Sequence, residues 1–379
     1  MKADLVNSHI DRLRGSFAIL VMVGHSLDLA NRHSLVDPTF LPLMNLRAYL
    51  GFVWVVGFIV LSGYCIVGSC LKAGTTMTWR SFALLRVTRL FPMLLACLLL
   101  TVVTEKAMHG AAARPDIWTQ GLDDRGVLIA NVFGMAAYRG LYGSFAPAYT
   151  LSFELVFYAL WGVAWFGAGR QPRRALIAAA VSIPVLLLVS RVIAWPTTLP
   201  FGLDFTLLLY VCWLIGAFLA VSLKHRTVLG VGRRLALVRW ILVAVVLYTG
   251  RQLWQMPILE PSGPAVVYFT TLAAAFALVT VGFAARPRAW GFGAVDAALG
   301  WLSYPLYLVH GPVIMFTAFL LNSRGTMIPF GLYVLTLCTA GVLSAVVLAV
   351  AIERPIMELR RRLRRRAVPV AGLQPAAST

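Results

Sequence analysis

His25 is an ionisable side chain midway along an apolar run, HIDRLRGSFAILVMVGHSLD from His9 to Asp28, and imidazole is the side chain best suited to take and return a proton near neutral pH. On a helix, Asp11, Arg14, His25 and Asp28 share one stripe, with Ala18 and Val21 between them. Each ionisable group costs roughly 2.5 to 3.5 kcal/mol at a bilayer centre, so a stripe of them marks a site rather than a surface. Two other cations, Arg86 and Arg89 in RSFALLRVTRLFP, stand at i, i+3 and carry guanidinium groups suited to phosphate. AYTLSFELVFYALW puts Glu154 on one helix face with Tyr158 and Trp161, and LGWLSYPLYLVHGP puts Ser303, Tyr307, His310 and Gly311 on another. A base, a carboxylate, a phenol and a set of arginines suit proton transfer and the binding of an anionic group. Each also has a structural reading: a packing histidine, an ion pair between helices at Glu154, aromatic packing at Tyr307 and His310, arginines that fix topology, and Gly15 as a helix contact.

The elements that must position these groups are membrane helices. With 60% hydrophobic and 12% charged residues in 379, the chain has too few polar side chains to cover a soluble globule of its size. Runs of about 20 apolar residues predict an all-α polytopic bundle of ten spans, at about 13–31, 48–70, 82–104, 148–168, 174–194, 203–222, 236–254, 264–284, 299–321 and 327–351. The first follows six ionisable residues and lacks a small-residue cleavage site, so it is expected to stay in the mature protein. Gly57 and the Ser62-Gly63 pair permit close helix contact. The stretch from Glu105 to Pro147 is expected on the outer side as an acceptor-side lid, with an interfacial or re-entrant piece at 127–138. The spans from 174 to 284 read as scaffold. Residues 1–356 form the membrane domain and 357–379 a basic cytoplasmic tail, disordered after Ala367.

A net charge of +19 suggests nucleic acid until the charges are placed. With both termini cytoplasmic, 24 of the 33 Lys and Arg fall on the cytoplasmic side. That asymmetry predicts orientation and contact with anionic lipid, the RRRLRRR run at 360–366 being its clearest instance, and no nucleic-acid partner. The five cysteines lie in or beside apolar spans without CxxC spacing, so neither a disulfide framework nor a metal site is expected.

IDRLRGSFAILVMVGH, VLSGY, RVTRLFP, YTLSFELVFY, LSYPLYLVH and IERP follow one another in the order and approximate spacing of the acyltransferase 3 family of membrane acyltransferases, which the chain resembles over about residues 8–356. The resemblance implies a ten-helix enzyme of the bacterial inner membrane. Such an enzyme takes an acyl group, usually acetyl, from cytoplasmic acyl-CoA and passes it to a sugar hydroxyl of a surface or exported polysaccharide, or its lipid-linked precursor. Some members acylate a small molecule instead. By position, the family's essential histidine falls on His25, its RG-motif arginine on Arg14, its RxxR arginines on Arg86 and Arg89, its helix-4 glutamate on Glu154, and its SYxxYLxH tyrosine and histidine on Tyr307 and His310. Two departures stand out. An acid common before the LSG motif is absent from VWVVGFIVLSGY, and the usual Trp-Ser opening of the fourth-helix motif is Tyr149-Thr150. No esterase-like domain follows in this sequence, so the expected acceptor lies outside the chain.

Acyl transfer from a thioester to an alcohol needs a base for the hydroxyl proton, which assigns His25, with Asp28 one turn away. Tyr307 offers a hydrogen bond to the carbonyl oxygen as it gains charge, and Glu154 orients the acceptor or pairs with an arginine or His25. Arg14, Arg86 and Arg89, with Asp11 and Gly15 beside them, are the expected coenzyme A contacts. Ser62 and Ser303 are the hydroxyls available as acyl carriers; neither has a GxSxG-like context, which favours direct transfer. A transporter or flippase of glycan or lipid intermediates is the rival reading. It predicts repeats or broken helices, and the sequence has no repeat. A noncatalytic scaffold would leave the His25 stripe unexplained.

Overall fold

The computed structural model describes residues 2–32, 47–111, 121–192, 203–224, 263–285 and 293–367. In lipid every backbone N–H and C=O must be satisfied within its own segment, so apolar runs of this length become helices. They are α1 (Lys2–Arg32), α2 (Arg47–Ala73), α3 (Trp79–Met108), the short α4 (Arg125–Val132) and α5 (Ala136–Arg139), α6 (Ala148–Gly167), α7 (Pro172–Val192), α8 (Leu203–Lys224), α9 (Gly263–Ala285), α10 (Gly293–Asn322), α11 (Phe330–Leu348) and α12 (Arg354–Ala367). One π-helical turn, Ala349–Glu353, joins the last two. Among the described residues seven helices are long and apolar enough to cross a membrane, and Ala265–Thr280 is a shorter apolar one. Together with α7 these occupy nine of the ten expected positions; the span expected at 236–254 and the tail after residue 367 lie outside the described residues. The chain is an all-α, polytopic membrane protein.

Helix α1 packs along α10, α2 and α11. Its stripe is turned inward, with Ala18 and Val21 wholly buried. Helices α1 and α10 run parallel and touch closely, because a Cβ on Gly15 would stand 2.4 Å from Leu299 Cβ and one on Gly300 would stand 2.5 Å from Asp11 Cβ. Where α2 crosses α8 the backbones themselves meet at Gly63 and Gly216, the membrane use of small residues expected at Gly63. Gly57 likewise makes room for the Phe17 ring.

Helix α10 starts six residues earlier than its apolar run, and the reason is polar. Arg12 donates from Nε to Asp296 Oδ1 at 2.6 Å and from Nη2 to Oδ2 at 2.7 Å, while Ser8 Oγ also donates to that carboxylate. This forked pair ties the first turns of α1 and α10 together at the basic end of the bundle, where α1, α3 and α10 begin and α2 and α11 finish. Arg12 is partly exposed and Asp296 nearly buried, which places the pair between a surface and an interior ion pair. Arg12→Ala is expected to lower stability by on the order of 2 kcal/mol, read as a lower thermal midpoint in detergent. An unchanged midpoint would show that the pair contributes nothing.

At the other end, the stretch expected as a lid is partly built into the protein. The piece at 127–138 is two short helices, α4 and α5, separated by a break with Gly134 at φ +70°. Asp124 caps α4, accepting from the Gly126 N–H at 2.7 Å. Tyr142 to Ala148 are buried throughout. Glu105 accepts the Ser144 N–H at 2.7 Å, and a Cβ on Gly311 of α10 would stand 2.6 Å from the Ser144 carbonyl oxygen, so this segment is clamped over α10.

Candidate active site

Five helices enclose one cavity near the middle of the described bundle. Its lining comes from Arg14 on α1, Arg89 on α3, Thr150, Leu151 and Glu154 on α6, Tyr304 and Tyr307 on α10, and a face of α2 that includes Val55, Phe58, Ile59, Ser62 and Cys65. The empty space between these side chains is about 580 Å³, a volume that includes the part open to the surroundings. Because α2 runs toward the basic end, Ser62 and Cys65 stand beside the arginines, while Val55 and Phe58 lie further out, the Phe58 ring against Tyr307. The cavity is therefore cationic at the basic end and apolar beyond it. Two guanidinium groups facing one space repel each other; Glu154 in the same wall and Asp11, 3.9 Å from Arg14, supply opposing charge.

Just beyond the apolar end lie two histidines. The rings of His25 and His310 stack at 5.2 Å with 27° between their planes, and Tyr307 meets His310 edge-on at 6.0 Å. This follows from the parallel register of α1 and α10, which sets Gly15 against Leu299 near one end and His25 against His310 further along, offsets of 284 and 285. His310 is wholly buried, its Nδ1 lies 3.1 Å from the Leu306 carbonyl oxygen, and its Nε2 has no hydrogen-bond partner among the described residues. Asp28 interacts electrostatically with His25 from the next turn of α1. Neither histidine lines the cavity itself, and Tyr307 is the side chain shared between the two parts.

Of the residues singled out by sequence, Arg14, Arg89, Glu154 and Tyr307 meet in the cavity, and His25, His310 and Asp28 form the adjoining group. Three stand apart. Gly15 faces Leu299 of α10, Asp11 lies against Gly300, and Arg86 is turned away from the cavity. Arg86 is 6% exposed, donates from Nη2 to Ser69 Oγ at 2.9 Å and lies over the rings of Phe82 and Tyr158, at 5.1 and 5.7 Å. Ser303 Oγ donates to the Gly300 carbonyl oxygen at 2.7 Å and is buried, tied into its own helix. Ser62 lines the cavity, with Oγ 3.3 Å from the Tyr158 hydroxyl.

Four groups were not read from the sequence as site residues. Tyr304, whose hydroxyl donates to the Leu90 carbonyl oxygen at 2.9 Å, shares the cavity face with Tyr307 three residues on. Cys65 continues the α2 stripe of Phe58 and Ser62, a helical spacing visible in the sequence. Tyr158 donates a 2.6 Å hydrogen bond to Glu154 Oε2. The Glu353 carboxylate, in the π-helical turn, interacts with Arg89, Arg360 and Arg14.

No curated protein and no solved structure matches this chain. The cavity has guanidinium groups, which suit an anionic ligand, at one end, and a histidine pair lies beyond the other. The family model described as an acyltransferase domain matches residues 7–352, nearly the whole of the membrane part, and the chain belongs to the acyltransferase 3 family.

Proposed function

We propose that this membrane acyltransferase moves an acyl group, acetyl first among them, from cytoplasmic acyl-CoA to a hydroxyl of a surface or exported polysaccharide or its lipid-linked precursor, in a bacterial inner membrane with the basic end cytoplasmic. The observation that carries the reading is the cavity, with Arg14 and Arg89 at one end and Tyr307, backed by His310 and His25, at the other. Arg14 and His25 are eleven residues apart, roughly 16 Å along a helix axis, too far to act on one atom. That separation suits a donor with phosphates at one end and a thioester at the other.

In this reading the acceptor oxygen attacks the thioester carbonyl as His25 takes its proton. The carbonyl oxygen gains negative charge and accepts a hydrogen bond from Tyr307. Collapse of the tetrahedral intermediate breaks the carbon–sulfur bond, the ester is released, and the imidazolium returns the proton to the departing thiolate. Asp28 supplies opposing charge beside the imidazolium, and Glu154 orients the acceptor.

The donor half is tested with purified protein in proteoliposomes by following thiol release from acetyl-CoA. Loss of a charge-assisted contact is worth about 1.5 to 3 kcal/mol, so Arg89→Ala is expected to raise the donor KM roughly tenfold to a hundredfold. An unchanged KM would remove Arg89 from the donor site.

A further inference from the structure

The two arginines of RVTRLFP sit one helical turn apart and do different things. Arg89 lines the cavity; Arg86 is buried behind it, over the ring of Tyr158. The Tyr158 hydroxyl gives its proton to Glu154 Oε2 at 2.6 Å. With that proton committed, Ser62 Oγ, 3.3 Å away on α2, is left as donor to the phenolic oxygen. The result is a continuous line from Ser69 through the Arg86 guanidinium, the Tyr158 ring and its hydroxyl to the carboxylate in the cavity wall.

We propose that Tyr158 is a positioning residue that holds the Glu154 carboxylate in its cavity-facing orientation, and that Arg86 acts through Tyr158 and not on the donor's phosphates. This rests on the acyltransfer reading, in which Glu154 orients the acceptor. Three physical points support it. Glu154 and Arg89 line the same cavity, and a carboxylate free to rotate would close onto that guanidinium; engaging Oε2 with the phenol restrains that rotation and leaves Oε1 to accept from an acceptor hydroxyl in the cavity. A cation over an aromatic face is held by the ring quadrupole and draws electron density from the ring, which makes the phenol a better hydrogen-bond donor. Tyr158 is 3% exposed and lies on α6 one turn from Glu154, so its ring has little freedom and the hydrogen bond costs little ordering.

The test uses the full chain in proteoliposomes, with acetyl-CoA and an acceptor glycan, and reads kcat and donor KM separately. Tyr158→Phe keeps the ring under Arg86 and removes only the hydroxyl. Its kcat is expected to fall about tenfold with donor KM within about twofold of wild type, a net hydrogen-bond contribution of ordinary size. In a Glu154→Gln background the same change is expected to cost less than about twofold, since coupled residues are non-additive. Arg86→Gln is expected to lower kcat and leave the donor KM in place, unlike Arg89→Ala. The proposal is overturned if Arg86→Gln raises the donor KM as Arg89→Ala does, or if Tyr158→Phe costs the same factor with and without the Glu154 carboxylate. Binding of coenzyme A itself, measured by titration calorimetry, separates the same two outcomes without turnover: Arg86→Gln must leave it unchanged. A wild type that binds coenzyme A and transfers nothing counts against acyl transfer as the function; unequal binding to wild type and Arg86→Gln counts against the role given to Arg86.

Discussion

Replacing His25 by alanine is expected to lower kcat for transfer by about a hundredfold to ten-thousandfold, the range over which a general base contributes, and to leave a folded protein that still binds the proposed donor. The ring is stacked on His310 next to the cavity, so its loss removes the imidazole that α1 presents there. The fold survives because what holds α1 against α10 lies elsewhere: the Gly15–Leu299 contact, the Asp11–Gly300 contact and the forked Arg12–Asp296 pair all sit near the basic end. Donor binding is expected to survive because the proposed donor contacts, Arg14 and Arg89, are at the far end of the cavity. Thiol release and coenzyme A binding on the same monodisperse preparation check both halves. A variant with more than half the wild-type kcat would remove His25 from the chemistry.

The second large effect is on folding. A Cβ on Gly216 would stand 2.0 Å from the Val60 carbonyl oxygen, and one on Gly63 would stand 2.1 Å from that of Trp213. In each case the obstacle is backbone, which cannot rotate aside as a side chain does. Helix α2 carries one wall of the cavity, so parting α2 from α8 also dismantles the site. Gly216→Val and Gly63→Val are each expected to cost about 3 kcal/mol or more, at or above the top of the usual range for overpacking, read as loss of monodisperse protein from the membrane fraction. Gly68 on the same helix is the control, because nothing lies within 4 Å of its Cβ position and Gly68→Val is expected to accumulate normally. Equal yields of all three would mean that backbone does not meet backbone at this crossing.

The costly stripe on α1 was legible because charge in an apolar helix has few innocent explanations. Its inward direction follows from the buried Ala18 and Val21 within it. The His25–His310 pair was not legible. Each residue stands out locally, but their stacking depends on the parallel register of α1 and α10, fixed by the Gly15–Leu299 and Asp11–Gly300 contacts between segments far apart in the chain, which no local pattern records. Arg86 shows the limit of face arguments. Three residues along a helix leave about 60° between side chains, enough to turn Arg89 into the cavity and Arg86 onto an aromatic ring. Glu154 and Tyr158 were readable as neighbours at i, i+4, and only the bond distance shows that one holds the other. The early start of α10 escaped because the span was bounded by its apolar run, whereas the helix continues back to Gly293 with Asp296 held by Arg12 from another helix.

Whether this chain acylates a glycan hydroxyl using His25 can be read from mass spectra of surface glycans from cells expressing the wild type, His25→Ala or neither. An acyl-sized mass increment on one glycan in the wild-type sample alone is the predicted result. Identical glycan masses in all three, or an increment that persists with His25→Ala, would contradict it.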